Sequence, residues 1–180
     1  MPPPNIINNR YKILRPIGEG GMGTVYLIED QLRDNKISAL KMIRPGLLDP
    51  TSVDHFKSEF EALTRLHHPA LAEVYDFGTV AGTQEYFFTQ EYVHGCHFSD
   101  GTRGIDPAAL TPLIIQVCRV LEYIHARGLI HYDLKPTNII ITNEESRKLD
   151  PRTSTESPLG LILAPHAFNL IKLQIGRAHV

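Results

Sequence analysis

Three stretches near the start share one pattern. They read YKILRPI (Tyr11–Ile17), TVYLIED (Thr24–Asp30) and KISALKMI (Lys36–Ile43). Each is short and rich in β-branched or aromatic residues, with glycines or the polar pair Asp34–Asn35 between them, which predicts consecutive strands. The period then changes. Phe56, Phe60 and Leu63 recur at i, i+4 and i+7, predicting a helix over Val53–Leu66. LAEVYDFG and EYFFTQEYV predict two more strands around a turn at Gly78–Gly82. Leu113, Val117, Val120, Leu121 and Ile124 line one face of a helix expected over Leu110–Arg127, with Gly128 at its C′ position. LIHYDLKPTNIIIT predicts strand, loop and strand. MPPPNIINN, residues 1–9, reads as a flexible lead-in. From Asn143 the chain turns polar and rich in Pro, Ser and Thr, an insertion-like loop over about 143–168.

Composition narrows the function classes. The chain has 180 residues, 42% hydrophobic and 21% charged, enough for a buried core. Lys plus Arg (18) nearly balance Asp plus Glu (20), so no general attraction to nucleic acid or an anionic membrane is expected. The longest apolar run, PLIIQV, is too short to span a bilayer, so no membrane segment is expected. Cys96 and Cys118 have no metal-ligand spacing and no secretory signal precedes them, so the expected setting is reducing and cytoplasmic. His67–His68 before Pro69 reads as a helix-ending turn rather than a metal site.

Four constellations carry chemistry. Gly18-Glu19-Gly20-Gly21-Met22-Gly23-Thr24-Val25 fits G-x-G-x-x-G-x-V, and glycines let a backbone approach phosphates closely. A dinucleotide-binding motif would open a helix, whereas TVYLIED has strand character, so a Gly-rich hairpin fits better. Ala39 and Lys41 alternate onto one face of their strand, leaving room for a flat base beside a cation. At about 100° per residue, Glu59 falls within about 60° of Phe56 and about 40° of Leu63, on the apolar helix face. A carboxylate there needs a partner or a path to water, and Lys41 is the obvious partner. His131-Tyr132-Asp133-Leu134-Lys135-Pro136-Thr137-Asn138 fits H-x-D-L-K-x-x-N, the sharpest of the four. An Asp can take a proton from an attacking hydroxyl, a Lys can steady a transferring phosphate, and an Asn can give an amide oxygen to Mg2+.

In this order the motifs resemble the protein kinase family, specifically the bacterial serine/threonine kinases of eukaryotic type. The resemblance runs from about Arg10 to Thr142, with a short return near Ile171. It implies an α+β, bilobal fold: a complete N-lobe of antiparallel sheet plus one helix, and the start of a helical C-lobe. The lead-in (1–9) would be followed by N-lobe and hinge (10–93), partial C-lobe (94–173) and a non-native tail (174–180). ATP would lie between the lobes. Gly18, Glu19, Gly20, Gly21, Met22, Gly23 and Val25 would cover it. Ala39 would line the base site, and Lys41, held by Glu59, would contact the α/β-phosphates. Gln90 would be the gatekeeper, with the backbones of Glu91 and Val93 on adenine. Asp133 would be the catalytic base, Lys135 a phosphate contact and Asn138 a Mg2+ ligand. The implied substrate is a protein with a Ser or Thr acceptor, since small-molecule kinases tend to lack Lys135. One departure is Tyr132, where many members carry Arg.

The chain beyond Asn138 departs further. Ile171-Lys172-Leu173 reads as the strand that leads to D-F-G in this family, yet Gln174-Ile175-Gly176 comes next. The Asp76-Phe77-Gly78 triplet precedes the catalytic loop and is a decoy. Without that Mg2+-binding Asp and an activation segment, the chain itself is expected to be inactive, with the apolar face of its second long helix partly uncovered and poor solubility as a result. The longer parent would carry further domains downstream. Two other classes remain open from the residues: a nucleotide-binding pseudokinase scaffold, or a small-molecule phosphotransferase. Finally, one reading frame of a common sequencing adaptor translates to Ile-Gly-Arg-Ala-His-Val, the residues at 175–180. Native sequence is therefore expected to end at Leu173. The nucleotide record checks this; codons other than ATC-GGA-AGA-GCA-CAC-GTC at 175–180 refute it.

Overall fold

The computed structural model describes residues 5–21, 23–46, 50–131, 133–142, 150–152 and 170–173; at 50–52, 55, 56, 59 and 170–173 it describes backbone alone. The strands predicted in the first ninety or so residues form. β1 (Ile6–Ile7), β2 (Tyr11–Gly20), β3 (Gly23–Asp30), β4 (Lys36–Ile43), β5 (Val74–Thr79) and β6 (Tyr86–Glu91) make one antiparallel sheet in the order β1-β2-β3-β4-β6-β5. α1 (Pro50–Thr64) falls between β4 and β5. The chain divides into two compact units, one of residues 1–65 and 73–92, the other of 66–72 and 93–180. The sequence reading kept 66–72 with the first unit.

The pleat sorts the first unit's side chains onto two faces. Ile7, Tyr11, Ile28, Leu40, Val80 and Phe87 form a buried cluster on one of them. Residues one step along each strand point the other way. There Phe60 of α1 packs on Phe77 and Phe88, ring centroids 5.8 and 6.1 Å apart. Ile7 is fully buried and Ile6–Ile7 pairs with Tyr11–Lys12, so the lead-in expected to be flexible is structured at residues 5–9. The reason is hydrophobic: Ile7 caps the outer cluster. Arg10 then fixes the turn. Its guanidinium donates to both oxygens of Asp30 at 2.8 Å and to Asp76 at 2.9 Å, and the Tyr11 hydroxyl donates to Asp76 at 3.1 Å. Burial opposes ionisation of Asp30, but the Arg10 hydrogen bonds and charge, the Leu32 amide and the Arg33 charge together outweigh it and hold the carboxyl below its usual range. The Asp of the decoy triplet thus serves as a structural partner of Arg10.

The second unit holds β7 (Cys96–His97), α2 (Phe98–Gly101), α3 (Pro107–His125), β8 (Ile139–Thr142) and β9 (Leu170–Leu173), with strand order β7-β8-β9. The strand expected at Leu129–His131 reduces to a single bridge residue, Ile130, ahead of the loop that carries Asp133. Asp106 caps α3, its side chain accepting from the Ala108 amide at 2.7 Å, and Pro107 follows at the first position. At the far end the Leu129 amide reaches Ile124 (3.1 Å) and the Gly128 amide reaches His125 (2.9 Å), with Gly128 at φ 75°. This is the Schellman closure that glycine permits. Leu113, Val117, Val120 and Ile124 are buried and Leu121 is half-buried, so the face expected to lose part of its cover keeps most of it. Part of that cover is β9, which lies against α3. Ile114 and Ile115 are the large hydrophobic residues of α3 left exposed. By length and composition α3 could also cross a membrane, which the longest apolar run did not suggest; 22% of that span is buried. The 143–168 insertion lies outside the described residues except at 150–152, and the 174–180 tail lies outside them entirely.

Tyr123 of α3 explains the placement of 66–72. Its hydroxyl accepts from the His67 amide (3.1 Å) and donates to the His67 carbonyl (2.9 Å), and Arg127 lies 3.7 Å over its ring. Beside it, His68 Nδ1 accepts from the Ala70 amide at 3.1 Å, which requires a neutral imidazole. Burial, then the Arg127 charge, lowers the His68 pKa below 6.5. The unfolded chain therefore takes up this proton first as pH falls, so stability is full above about 6.5 and declines below it until the folded pKa is passed. A His68→Asn variant, keeping an acceptor without titrating, should show a flatter dependence of urea midpoint on pH between about 7 and 5. Parallel curves for the two proteins refute the assignment.

Candidate active site

In the first unit, strand register assembles the expected nucleotide residues. Val25 pairs with Lys41, Lys41 with Phe88, and Ala39 with both Leu27 and Gln90. Val25, Ala39, Lys41 and Gln90 therefore share one face, opposite the Tyr11–Phe87 cluster. Ala39 and Gln90 are buried and Lys41 half-buried, its Nζ 5.8 Å from the Phe88 ring centroid. Glu91 closes β6, and its amide donates to the Glu73 carbonyl at 2.7 Å. The Glu59 side chain and all of Met22 lie outside the described residues. Val93 follows β6 in the second unit and is half-buried.

The glycines of the hairpin divide into two kinds. Gly23 has φ 138°, and a Cβ built on it would overlap the Met42 carbonyl oxygen, so the fold itself requires glycine. A Cβ at Gly18, Gly20 or Gly21 would meet nothing within 4 Å. Packing does not require glycine at these three positions. Open backbone of this kind suits a phosphate-bearing ligand lying close.

In the second unit, Pro136 shapes the catalytic loop. The residue before a proline is pushed extended, and Lys135 has φ −152° and ψ 157°. The Pro136–Asn138 3-10 turn follows, with the Asn138 amide donating to the Lys135 carbonyl at 2.9 Å. This swings Asn138 back onto Asp133. Its Nδ2 donates to the Asp133 carbonyl at 2.7 Å and to Oδ2 at 2.9 Å, and Lys135 Nζ reaches the same Oδ2 at 2.9 Å. Burial opposes ionisation of Asp133, but hydrogen bonds from Lys135 and Asn138 outweigh it and hold the carboxyl below its usual range. The sequence reading gave Lys135 to phosphate and Asn138 to metal; it missed that both also anchor Asp133. Their spacing, two and five residues on, was the available signal.

The protein kinase domain family matches residues 11–150. The chain belongs to the protein kinase family. It is 35% identical over 152 residues to the serine/threonine-protein kinase pkn2 of Myxococcus xanthus, which covers 81% of this chain and 18% of that protein. It is 35% identical over 156 residues to the serine/threonine-protein kinase PknB of Mycobacterium tuberculosis, 83% of this chain and 25% of that protein. The chain thus spans about a quarter or less of the length of these relatives. Among solved structures, the PknI kinase domain of Mycobacterium tuberculosis superposes with a TM-score of 0.69 at 26% identity, covering 94% of this chain and 60% of that one.

Membership of the kinase family implies ATP and a divalent cation in general. Among the described residues no group of three His, Cys, Asp or Glu gathers to hold a metal. Asn138 still fits a hard cation: its amide nitrogen is committed to Asp133, which leaves Oδ1 as a neutral oxygen ligand. Alanine at Gly18 or Gly20 of this kinase domain should shift stability by at most about 0.5 kcal/mol, while Gly23→Ala should cost about 2 kcal/mol or more. Urea unfolding checks this; equal losses at all three positions would contradict the division.

Proposed function

We propose that the full protein is an ATP-dependent serine/threonine protein kinase. The observation that carries this reading is the Asp133 carboxylate, held at one oxygen by both Lys135 and Asn138. In the transfer, the bond from the γ-phosphorus to the bridging oxygen of ADP breaks. A new bond forms to a Ser or Thr oxygen, and the hydroxyl proton passes to Asp133. Lys135 and Asn138 both bind Oδ2, so Oδ1 carries neither contact and is the oxygen offered to the incoming hydroxyl. A depressed pKa makes Asp133 a weak base but keeps it ionised near neutral pH. It therefore orients the hydroxyl first and accepts the proton late, when the oxygen has become acidic, as suits a loose transition state. Lys135 neutralises charge on the transferring group. Mg2+, when bound, would neutralise phosphate charge, with Asn138 Oδ1 as one ligand and phosphate oxygens among the others. Lys41 would bind the α/β-phosphates, paired with Glu59, and the Gly18–Val25 hairpin would lie over them. Gln90 and the backbones of Glu91 and Val93 would frame adenine.

In the full-length protein, Asp133→Asn should lower peptide phosphorylation by at least about a hundredfold while ADP affinity stays within about threefold. Phosphoamino-acid analysis should find phosphoserine or phosphothreonine. Transfer persisting in the variant overturns the role of Asp133, and wild-type protein that phosphorylates only small molecules, or nothing, overturns the kinase reading.

A further inference from the structure

Arg44 is absent from the expected nucleotide residues, yet it touches the hairpin they depend on. It directly follows β4, and its Nη2 donates to the Gly20 carbonyl at 3.2 Å, 24 positions away. Gly20 pairs with Gly23 at the last rung of β2 and β3, the hairpin tip. Beyond the β2–β3 ladder, Cβ atoms built at Gly18, Gly20 and Gly21 would meet no neighbour within 4 Å. Glycines here give the ligand room but leave a backbone with more freedom to lose on ordering. Arg44 also lines a cleft of about 240 Å3 with Glu19, Thr24, Tyr26, Met42 and Glu85. Thr24 pairs with Met42 and Val25 with Lys41, so this cleft lies on the sheet face opposite Lys41. Arg44 therefore reaches the tip from behind and leaves the Lys41 side clear.

We propose that Arg44 is a positioning residue: its guanidinium straps the Gly-rich hairpin through the Gly20 carbonyl and so presets the hairpin for the phosphates of a nucleoside triphosphate. The inference rests on the kinase reading above, because it takes the hairpin to cover the nucleotide. Preordering lowers the entropy lost when the ligand binds, so the effect should fall on binding rather than on transfer. Lysine can replace one hydrogen bond but not the planar fork, so it should restore part of the function.

The test uses full-length protein, wild type, Arg44→Met and Arg44→Lys. Amide hydrogen exchange without nucleotide, ADP affinity with Mg2+, and the KM for ATP and kcat are compared. Arg44→Met should speed exchange across residues 18–24 by about three- to tenfold, the size expected of one exposed hydrogen bond. ADP affinity should weaken and the KM for ATP rise by the same factor, with kcat moving less and Arg44→Lys lying between. Exchange in Lys36–Leu40 and the unfolding midpoint should not move. Unaltered exchange at 18–24 overturns the strap; faster exchange with unaltered ADP affinity overturns its bearing on the nucleotide. Wild-type protein that binds no ADP overturns the kinase reading and the nucleotide half of this proposal, while the exchange result still decides whether the strap exists.

Discussion

The first unit depends on one constraint, the register of β3, β4 and β6. Val25, Lys41 and Phe88 lie in one row, and Leu27, Ala39 and Gln90 in another. Side chains alternate across a strand, so a slip of one residue would send Lys41 into the Leu40–Phe87 cluster and bring Leu40 to the ligand face. Burial of Ile28, Leu40 and Phe87 opposes that slip. The hydrophobic core on one face thereby positions the polar residues on the other. The partly buried ion pair of Arg10 and Asp30 adds a second lock beside the β1 strand that carries Ile7.

The Asp133 loop of the second unit is fixed by more local means. Pro136 limits Lys135 to extended backbone, the 3-10 turn reverses the chain, and Asn138 closes back on Asp133. Behind the loop, β8 is buried along its whole length between β7 and β9. A rigid buried strand on one side and a proline on the other leave Asp133 little freedom. Both bonds to its carboxylate favour the ionised form, so the same contacts that fix its direction also fix its charge.

Much of this was legible in the sequence because it repeats at short period. Short runs of β-branched and aromatic residues marked β2 to β6, the i, i+4, i+7 spacing marked α1, and Gly128 marked the end of α3. The eight residues from His131 to Asn138 carried the candidate catalytic group as a local motif, and the structure draws three of them together. Illegible parts rest on contacts distant in sequence. Ile6–Ile7 looked like loop because a two-residue strand has no period, and its partner Tyr11–Lys12 had to be in place to define it. Tyr123 looked like an ordinary helix residue, though it draws His67 into the second unit.

The sequence by itself determined the family, the strand and helix pattern, and the residue types that phosphoryl transfer needs, because each is encoded in spacing along the chain. Only the tertiary structure decided what each residue must also do for the fold. It separated Gly23, which the Met42 carbonyl requires, from Gly18, Gly20 and Gly21, where no packing among the described residues requires glycine. It gave Asp76 its role as a partner of Arg10, and it brought Arg44 to the hairpin tip. The physical reason is the same in each case. These assignments depend on which atoms of remote segments come within about 3 Å of one another, and that distance is set by packing, not by the order of residues.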